Sequence, residues 1–420
     1  MIDRQSTRGV PVACLEGFCQ GESDRRLDVY DIPTADFSPG ADLNEHSSPN
    51  PLFSEDGRLH RLLRGPSEGW EEVTENILKR RDTPPTKSGP HHNLVSLVLE
   101  LACRTKLASS GANDIIAATV EWLTSRLPFD PEVPRPDSNA APDGPAWALA
   151  RAYALVPQLL DLEALFIRNK HRHKHFIASD NPVLFYNQLL ESGGVPFSRT
   201  APAALGLQIF VPLTPEACLL FYDGTSYDTA RSAKKARVRA KTIDVDHLNA
   251  LQYTAAHRRL YLPPEVGEKY VREMTSALED RREPEERCVQ EFTDLAEEGS
   301  EYPLLLFGRD DTRCGLDLSF ISPDEDALPE DPATRPLEVR DRRWHHVCRM
   351  YRAQIPVLAQ RGADHLGFRH WFDDIRANEA KHELANQYLE LIDGQMYSPE
   401  QWPEWLEQVE QHEDFTWTLP

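Results

Sequence analysis

Two apolar runs set the tightest limit on what this chain can fold into. Leu207-Gln208-Ile209-Phe210-Val211-Pro212-Leu213 and Ala217-Cys218-Leu219-Leu220-Phe221-Tyr222 are joined through Thr214-Pro215. Both are short, and β-branched and aromatic residues are prominent in them, so they read as paired strands. Asp223-Gly224 then turns the chain. With Phe176-Ile177 and Val183 to Tyr186 these runs predict a small central sheet.

The second constraint is a polar knot upstream, His175-Phe176-Ile177-Ala178-Ser179-Asp180-Asn181-Pro182-Val183. Ser, Asp and Asn side chains fold back on local amides and build tight turns. Pro182 pushes Asn181 out of the helical region. Just before the knot stands the most basic run of the chain, Arg168-Asn169-Lys170-His171-Arg172-His173-Lys174-His175. His171, His173 and His175 alternate and on a strand would share a face that could hold a metal. The interleaved Arg172 and Lys174 favour a solvated basic loop.

Around this centre the pattern is largely helical. Arg25 to Ile32 alternates and predicts a strand, and Pro33 to Pro51 predicts a loop. Trp70 to Arg81 predicts a short helix and Thr83 to Pro90 a linker. His91 to Ala108 predicts a helix, with Leu94, Val95, Val98, Leu101 and Ala102 on one face. Asp114 to Leu127 predicts the next helix, Pro128 to Pro145 a loop, and Ala146 to Ile167 a long helix kinked at Pro157. Asp246 predicts a cap on a helix through Arg259. Glu265 to Glu298 reads as helix broken near Pro284, Tyr302 to Phe307 as a strand, and Pro323 to Pro336 as an acidic linker. Leu337 to Ala359, Leu366 to Asp393 and Pro399 to His412 read as three helices. The expected class is therefore α+β, mostly helical, with a small central, largely antiparallel sheet plus a C-terminal helical bundle. Residues 1–90 form an irregular N-terminal segment with one strand, 91–322 the α+β core domain carrying the Ser-Asp-Asn-Pro turn, and 337–420 a C-terminal helical appendage.

Charge separates the middle of the chain from the rest. The net charge is −22 over 420 residues. Leu165 to Leu262 nevertheless holds 13 Lys or Arg against 7 Asp or Glu, a net of +6. A uniformly acidic surface repels nucleic acid and anionic membranes, whereas a basic middle is an anion-binding face or a partner for the chain's own acidic flanks. The 7 cysteines include no Cys-x-x-Cys, which argues against a disulfide framework and a zinc ribbon. The absence of a long apolar run and of a hydrophobic leader predicts a cytoplasmic protein with no membrane partner.

Several pieces in order carry a family resemblance. Val10-Pro11-Val12-Ala13-Cys14-Leu15-Glu16-Gly17-Phe18 precedes Leu27-Asp28-Val29-Tyr30; Arg104-Thr105 ends a helix; Phe176 to Pro182 spells Phe-x-x-Ser-Asp-x-Pro; Pro212-Leu213-Thr214-Pro215 and Leu248-Asn249 follow. Over roughly residues 8 to 262 the chain resembles the domain of unknown function 4238 family. Arg8-Gly9 stands where that family opens with His-Tyr. The resemblance implies a shared fold and supplies no activity.

Arg104, Ser179, Asp180, Asn181 and Asn249 are the polar residues expected to converge. Asp180 could pair with Arg104, bind a divalent cation, or activate a water, with Asn181 and Asn249 as carbonyl ligands or orienting groups. The alternative is a turn whose side chains satisfy buried amides. Arg168, Lys170, Arg172, Lys174, Lys234, Lys235, Arg237 and Arg239 are the candidate anion-binding residues, since Lys and Arg supply point charges and planar forks to phosphate. Two functions are therefore expected: a nuclease-like, metal-dependent hydrolase of a phosphate-bearing substrate or nucleic acid with Asp180 central, or a non-catalytic module whose acidic C-terminal bundle binds a basic protein. Glu379-Ala380-Lys381-His382 has the spacing of one half of a di-iron motif, but a second copy is missing.

Overall fold

A computed structural model describes residues 10, 12–19, 25–46, 69–86, 88–108, 111, 117, 155–191, 199–230, 235–282, 287–292, 304–309, 314–327, 339–341, 344, 345 and 348. The expected helix 114–127 apart from residue 117, the Pro-rich loop 128–145, almost all of the C-terminal helices, the Glu379 to His382 motif and Lys234 lie outside the described residues.

The described chain is mixed α+β with largely antiparallel sheets. In chain order it runs β1 (Arg26–Asp31), β2 (Asp36–Asp42), α1 (Trp70–Arg80), α2 (Gly89–Cys103), β3 (Glu163–Arg168), β4 (Ala178–Ser179), β5 (Leu184–Tyr186), β6 (Gln208–Thr214), β7 (Ala217–Tyr222), β8 (Tyr227–Thr229), β9 (Arg237–Arg239), α3 (Thr242–Ala255), β10 (Arg259–Leu262), α4 (Gly267–Ala277), β11 (Arg287–Phe292), β12 (Leu304–Arg309) and β13 (Ile321–Pro323). Strands β5-β6-β7-β3-β9 make a five-stranded sheet, and β2-β1-β10-β4 a four-stranded one. Strands β11 and β12, and β13 and β8, form two further pairs.

The central hairpin forms as the apolar runs demand, with Phe210 opposite Leu220 and Ile209 opposite Phe221. Because strand side chains alternate, its two faces feed two cores. Phe166, Ile209, Val211, Leu219 and Phe221 pack with Leu94, Val95 and Val98 of α2. Leu165, Ile167, Phe210, Leu220 and Tyr222 pack with Val245, Leu248 and Leu251 of α3. The sheet is thus covered on both sides, which is why its strands read as continuous apolar runs. A third cluster joins Tyr30, Leu260 and Leu262 of the smaller sheet to Tyr253 of α3 and Val271 of α4.

Several helix boundaries follow from side-chain chemistry. Ser88 caps α2 by accepting from the His91 amide, and Pro90 sits in the first turn, where its missing N–H costs nothing. Glu71 and Glu72 open α1 and Lys79 and Arg80 close it, complementing the helix dipole. Gly206 needs its freedom: φ is +73°, and an added Cβ would meet Asn187 Oδ1 and Leu189 Cβ at 2.8 Å.

Five sequence expectations are corrected. Residues 163–167, expected at the end of a long helix, belong to strand β3, which lies between β7 and β9. Its apolar run is short enough to serve either structure, and partners on both sides decide for strand. Residues 36–42, expected as loop, pair with β1; Pro39 is tolerated because β2 is an edge strand with an irregular register. Helix α3 begins at Thr242 rather than at Asp246 and ends before Arg259, which opens β10. Asp244 reaches back to the Lys241 amide at 2.5 Å and also accepts from Ser319, so the start of the helix is set by that carboxylate. Residues 176–177 are not part of the hairpin sheet; the adjoining β4 pairs with β10 instead. Residues 287–292, expected as helix, are a strand paired with β12. Among the described residues no helix is long and apolar enough to cross a membrane.

Burial pushes His91 and His92 on α2 down to about 4 from an ordinary 6.5. The unfolded chain then takes up protons that the folded chain refuses, so stability is lost as pH falls from about 6.5 to about 4. Urea unfolding at about pH 7 and about pH 4.5 should show this loss, and His91→Leu should remove roughly one proton's share of it.

Candidate functional site

The basic run leaves β3 and returns as the polar knot, and α3 holds the whole excursion. Asn169 shapes the loop from inside: its Nδ2 donates to the Lys174 carbonyl at 2.7 Å and its Oδ1 accepts from the His171 amide at 2.9 Å. One side of α3 then meets the loop in succession. His171 Nδ1 lies 3.3 Å from Thr242 Oγ1, and Lys174 pairs with Asp246. Asn249 Nδ2 donates to the His175 carbonyl at 2.9 Å, and Asn249 Oδ1 accepts from the Ile177 amide at 3.0 Å. Gln252 Nε2 donates to the Pro182 carbonyl at 3.1 Å, and its Oε1 accepts from Ser179 Oγ at 2.7 Å. Asn181 Nδ2 donates to the Ala255 carbonyl at 3.1 Å. Positions 242, 246, 249 and 252 recur every three or four residues, which keeps them on one face of a helix.

Asp180 closes the far end. Its Oδ1 accepts from the His257 amide at 2.9 Å, and its Oδ2 from the Arg258 and Arg259 amides at 2.8 and 3.1 Å. Its own amide donates to the Arg259 carbonyl at 3.0 Å. Burial pushes the carboxyl upward, against these three amides and the nearby His257, which pull it down. A carboxylate has about four acceptor positions, and three are committed to backbone.

The structure therefore brings Ser179, Asp180, Asn181 and Asn249 together along α3 and leaves Arg104 elsewhere. Arg104 is buried at the end of α2 and pairs with Glu100 one turn earlier, so the expected Arg104–Asp180 pair is not formed. Burial raises Glu100, and the Arg104 guanidinium opposes that rise. Residues that sequence reasoning missed complete the arrangement: Asn169, Asp246, Gln252 and Tyr270. Tyr270 OH donates to Asp246 Oδ1 at 3.1 Å and accepts from Asn249 Nδ2 at 3.0 Å, and burial pushes its phenol well above the ordinary range. The spacing of Asp246, Asn249 and Gln252 was the available signal, once α3 is placed correctly.

Phe-x-x-Ser-Asp-x-Pro, Pro-Leu-Thr-Pro and Leu-Asn thus occur in order within one packed unit. Residues 126–265 carry a DUF4238 family domain. The family model is described as a protein of unknown function. It includes those three motifs but neither Val10 to Phe18 nor Arg104-Thr105, so the match is narrower than the resemblance over roughly residues 8 to 262. No curated protein and no solved structure matches the chain.

The DUF4238 domain also gathers basic residues that are far apart in sequence. Strand β9 pairs in parallel with β3, which sets Arg239 beside Arg168 and Arg237 beside Phe166. Lys170, Arg172, Lys235, Arg237 and Arg239 are exposed, Arg168 is half-buried, and Lys174 is taken up by Asp246. Ala240 N donates to the Arg168 carbonyl at 3.0 Å, so β9 and the basic loop share one edge. The three alternating histidines do not share a strand face: His175 is buried, His171 is half-buried against α3, and His173 is exposed. Among the described residues no group of three His, Cys, Asp or Glu is placed to hold a metal ion.

Asp180→Ala should leave the three amides of residues 257–259 without their acceptor and cost about 3 kcal/mol or more in urea unfolding. Asp180→Asn should lose less than that but still a measurable part, because an amide group offers one acceptor oxygen where a carboxylate offers two.

Proposed function

We propose that the DUF4238 domain binds a phosphate-bearing anion along the edge formed by the basic loop and β9. The observation that carries this reading is Arg239 placed beside Arg168 on paired strands, with Lys170 and Arg172 following β3 and Lys235 and Arg237 preceding Arg239 at β9, in a chain whose overall charge is −22. Basic side chains on one edge create a local positive field that an otherwise acidic surface does not cancel at short range, since charges are screened within about 10 Å at ordinary salt. The α3 contacts hold the loop in one shape before any ligand arrives, which lowers the entropy lost on binding. Arg forks and Lys point charges both suit phosphate oxygens.

Binding supports the geometry better than hydrolysis does. Asp180 serves the backbone amides of residues 257–259, Asn181 donates to the Ala255 carbonyl, and Ser179 and Asn249 bond backbone groups of residues 175–181. Those contacts match side chains that satisfy backbone groups of the turn and of the chain that follows α3. They leave little acceptor capacity for a metal or an attacking water.

Fluorescence anisotropy with a labelled single-stranded oligonucleotide, competed by inositol hexakisphosphate, tests the reading. Affinity should fall steeply with salt, with a slope that counts the phosphates neutralised. Replacing Lys170, Arg172, Arg237 and Arg239 together by Glu should weaken binding by about a hundredfold and flatten that slope, with unfolding unchanged. Unaltered binding in that variant would remove the basic edge from consideration. Metal-dependent cleavage of the oligonucleotide, lost in a folded Asp180→Asn variant, would restore the hydrolase.

A further inference from the structure

Away from the basic edge, five oxygens converge on one guanidinium. Arg340 Nε donates to Asp161 Oδ2 at 2.9 Å, and Nη2 reaches Asp161 Oδ1 at 3.1 Å, closing a two-pronged pair. The Gln158 and Pro202 carbonyls accept from Nη2 at 2.7 Å each, and the Ala204 carbonyl accepts from Nη1 at 2.9 Å. The Arg340 side chain is 2% exposed and that of Asp161 7%. Neighbouring contacts extend the grip. Arg340 N donates to the Ala203 carbonyl at 3.1 Å, and Trp344 Nε1 donates to the Pro157 carbonyl at 2.7 Å. His345 Nε2 lies 3.3 Å from Asp161 Oδ2.

All these acceptors belong to residues 157–204, inside the matched DUF4238 region, and every donor belongs to residues 340–345, outside it. The matched region thus supplies the acceptors and a later stretch of chain supplies the donors. Several of its parts suit a cation. The Pro157 and Gln158 carbonyls come from the end of the helical stretch 155–159, where the dipole is negative, although the Pro157 carbonyl also accepts from the Leu160 amide at 3.3 Å. Burial works against a charged Asp161, but the Arg340 guanidinium beside it holds the carboxyl well below the usual carboxylate range. A planar guanidinium serves both Asp161 oxygens and the carbonyls at once, its Nη2 sharing two N–H groups among three acceptors; a lysine ammonium offers three donors from one point and cannot match the two-pronged geometry.

We propose that the DUF4238 domain carries a guanidinium socket, made by Asp161 and the carbonyls of Gln158, Pro202 and Ala204, that binds arginine-bearing peptides of the form Arg-x-x-x-Trp-His. Residues 340–345 are its tethered ligand. The tether raises the local concentration of that ligand far above any free competitor, so the socket of the intact chain stays filled. An emptied socket accepts the same sequence in trans. This inference is independent of anion binding at the basic edge.

The test uses the full chain with Arg340→Ala and, as probe, a labelled synthetic peptide of residues 336–350 of this sequence. The variant should bind the peptide and gain thermal stability from it. The same peptide with Arg340→Lys should bind at least about tenfold more weakly. A chain carrying both Asp161→Asn and Arg340→Ala should not bind, and the unaltered chain should not bind because its socket is occupied. A folded Arg340→Ala chain that ignores the peptide, or that takes the Arg and Lys peptides equally, overturns the proposal. If the Arg340→Ala chain does not fold alone, it is refolded with peptide present: recovery with the Arg peptide and not the Lys peptide supports the socket, and equal or absent recovery overturns it.

Discussion

The side-chain amides of Asn249 and Gln252 are the contacts on which the arrangement of the domain rests. A stretch of irregular backbone crosses between two sheets at residues 169–183, and such backbone must find partners when it is buried. Asn249 takes one donor and one acceptor of that stretch, and Gln252 takes a carbonyl and a hydroxyl. An amide side chain can do both at once because it carries an oxygen and an NH2. Helix α3 is in turn fixed by Val245, Leu248 and Leu251 against the five-stranded sheet and by Tyr253 against the smaller one. Apolar packing holds the helix, and the helix holds the polar chain.

That hierarchy accounts for where charge is buried and where it is left out. Asp180 and Asp244 face backbone amides, and Asp161 faces a guanidinium, so each of these three carboxylates has its compensation. Lys174 is half-exposed and spent on Asp246, whereas Lys170 and Arg172, earlier in the same loop, remain exposed. The loop's charge is therefore divided between holding and presenting.

Much of this was legible in the residues, and the failures have common causes. The hairpin, β1, α1 and most of α2 follow from periodicity alone, because each buries a face against neighbours whose identity hardly matters. The turn at 179–182 was legible as a turn. Its second partner was not, because Gln252 and the amides of 257–259 lie more than seventy residues away. Strand β3 was misread as helix because Ala164 to Ile167 is apolar on both faces, and only β7 and β9 decide its form. Strand β2, Asp36–Asp42, carries no apolar alternation; its place is fixed by Arg26 to Asp31 opposite. The start of α3 turned on choosing Asp244 over Asp246, two residues with the same side chain. The Arg340 grip had no local signal, since Asp161 is 179 positions earlier.

The parallel contact between β3 and β9 has a consequence for how the protein comes into being. Its partners, Phe166 to Arg168 and Arg237 to Arg239, are separated by the entire hairpin and the polar turn. Closing a loop of that length is slow, and nothing nearby rewards it until the intervening strands are seated. A chain still emerging from the ribosome therefore shows only half of the basic edge until Arg239 has cleared the exit.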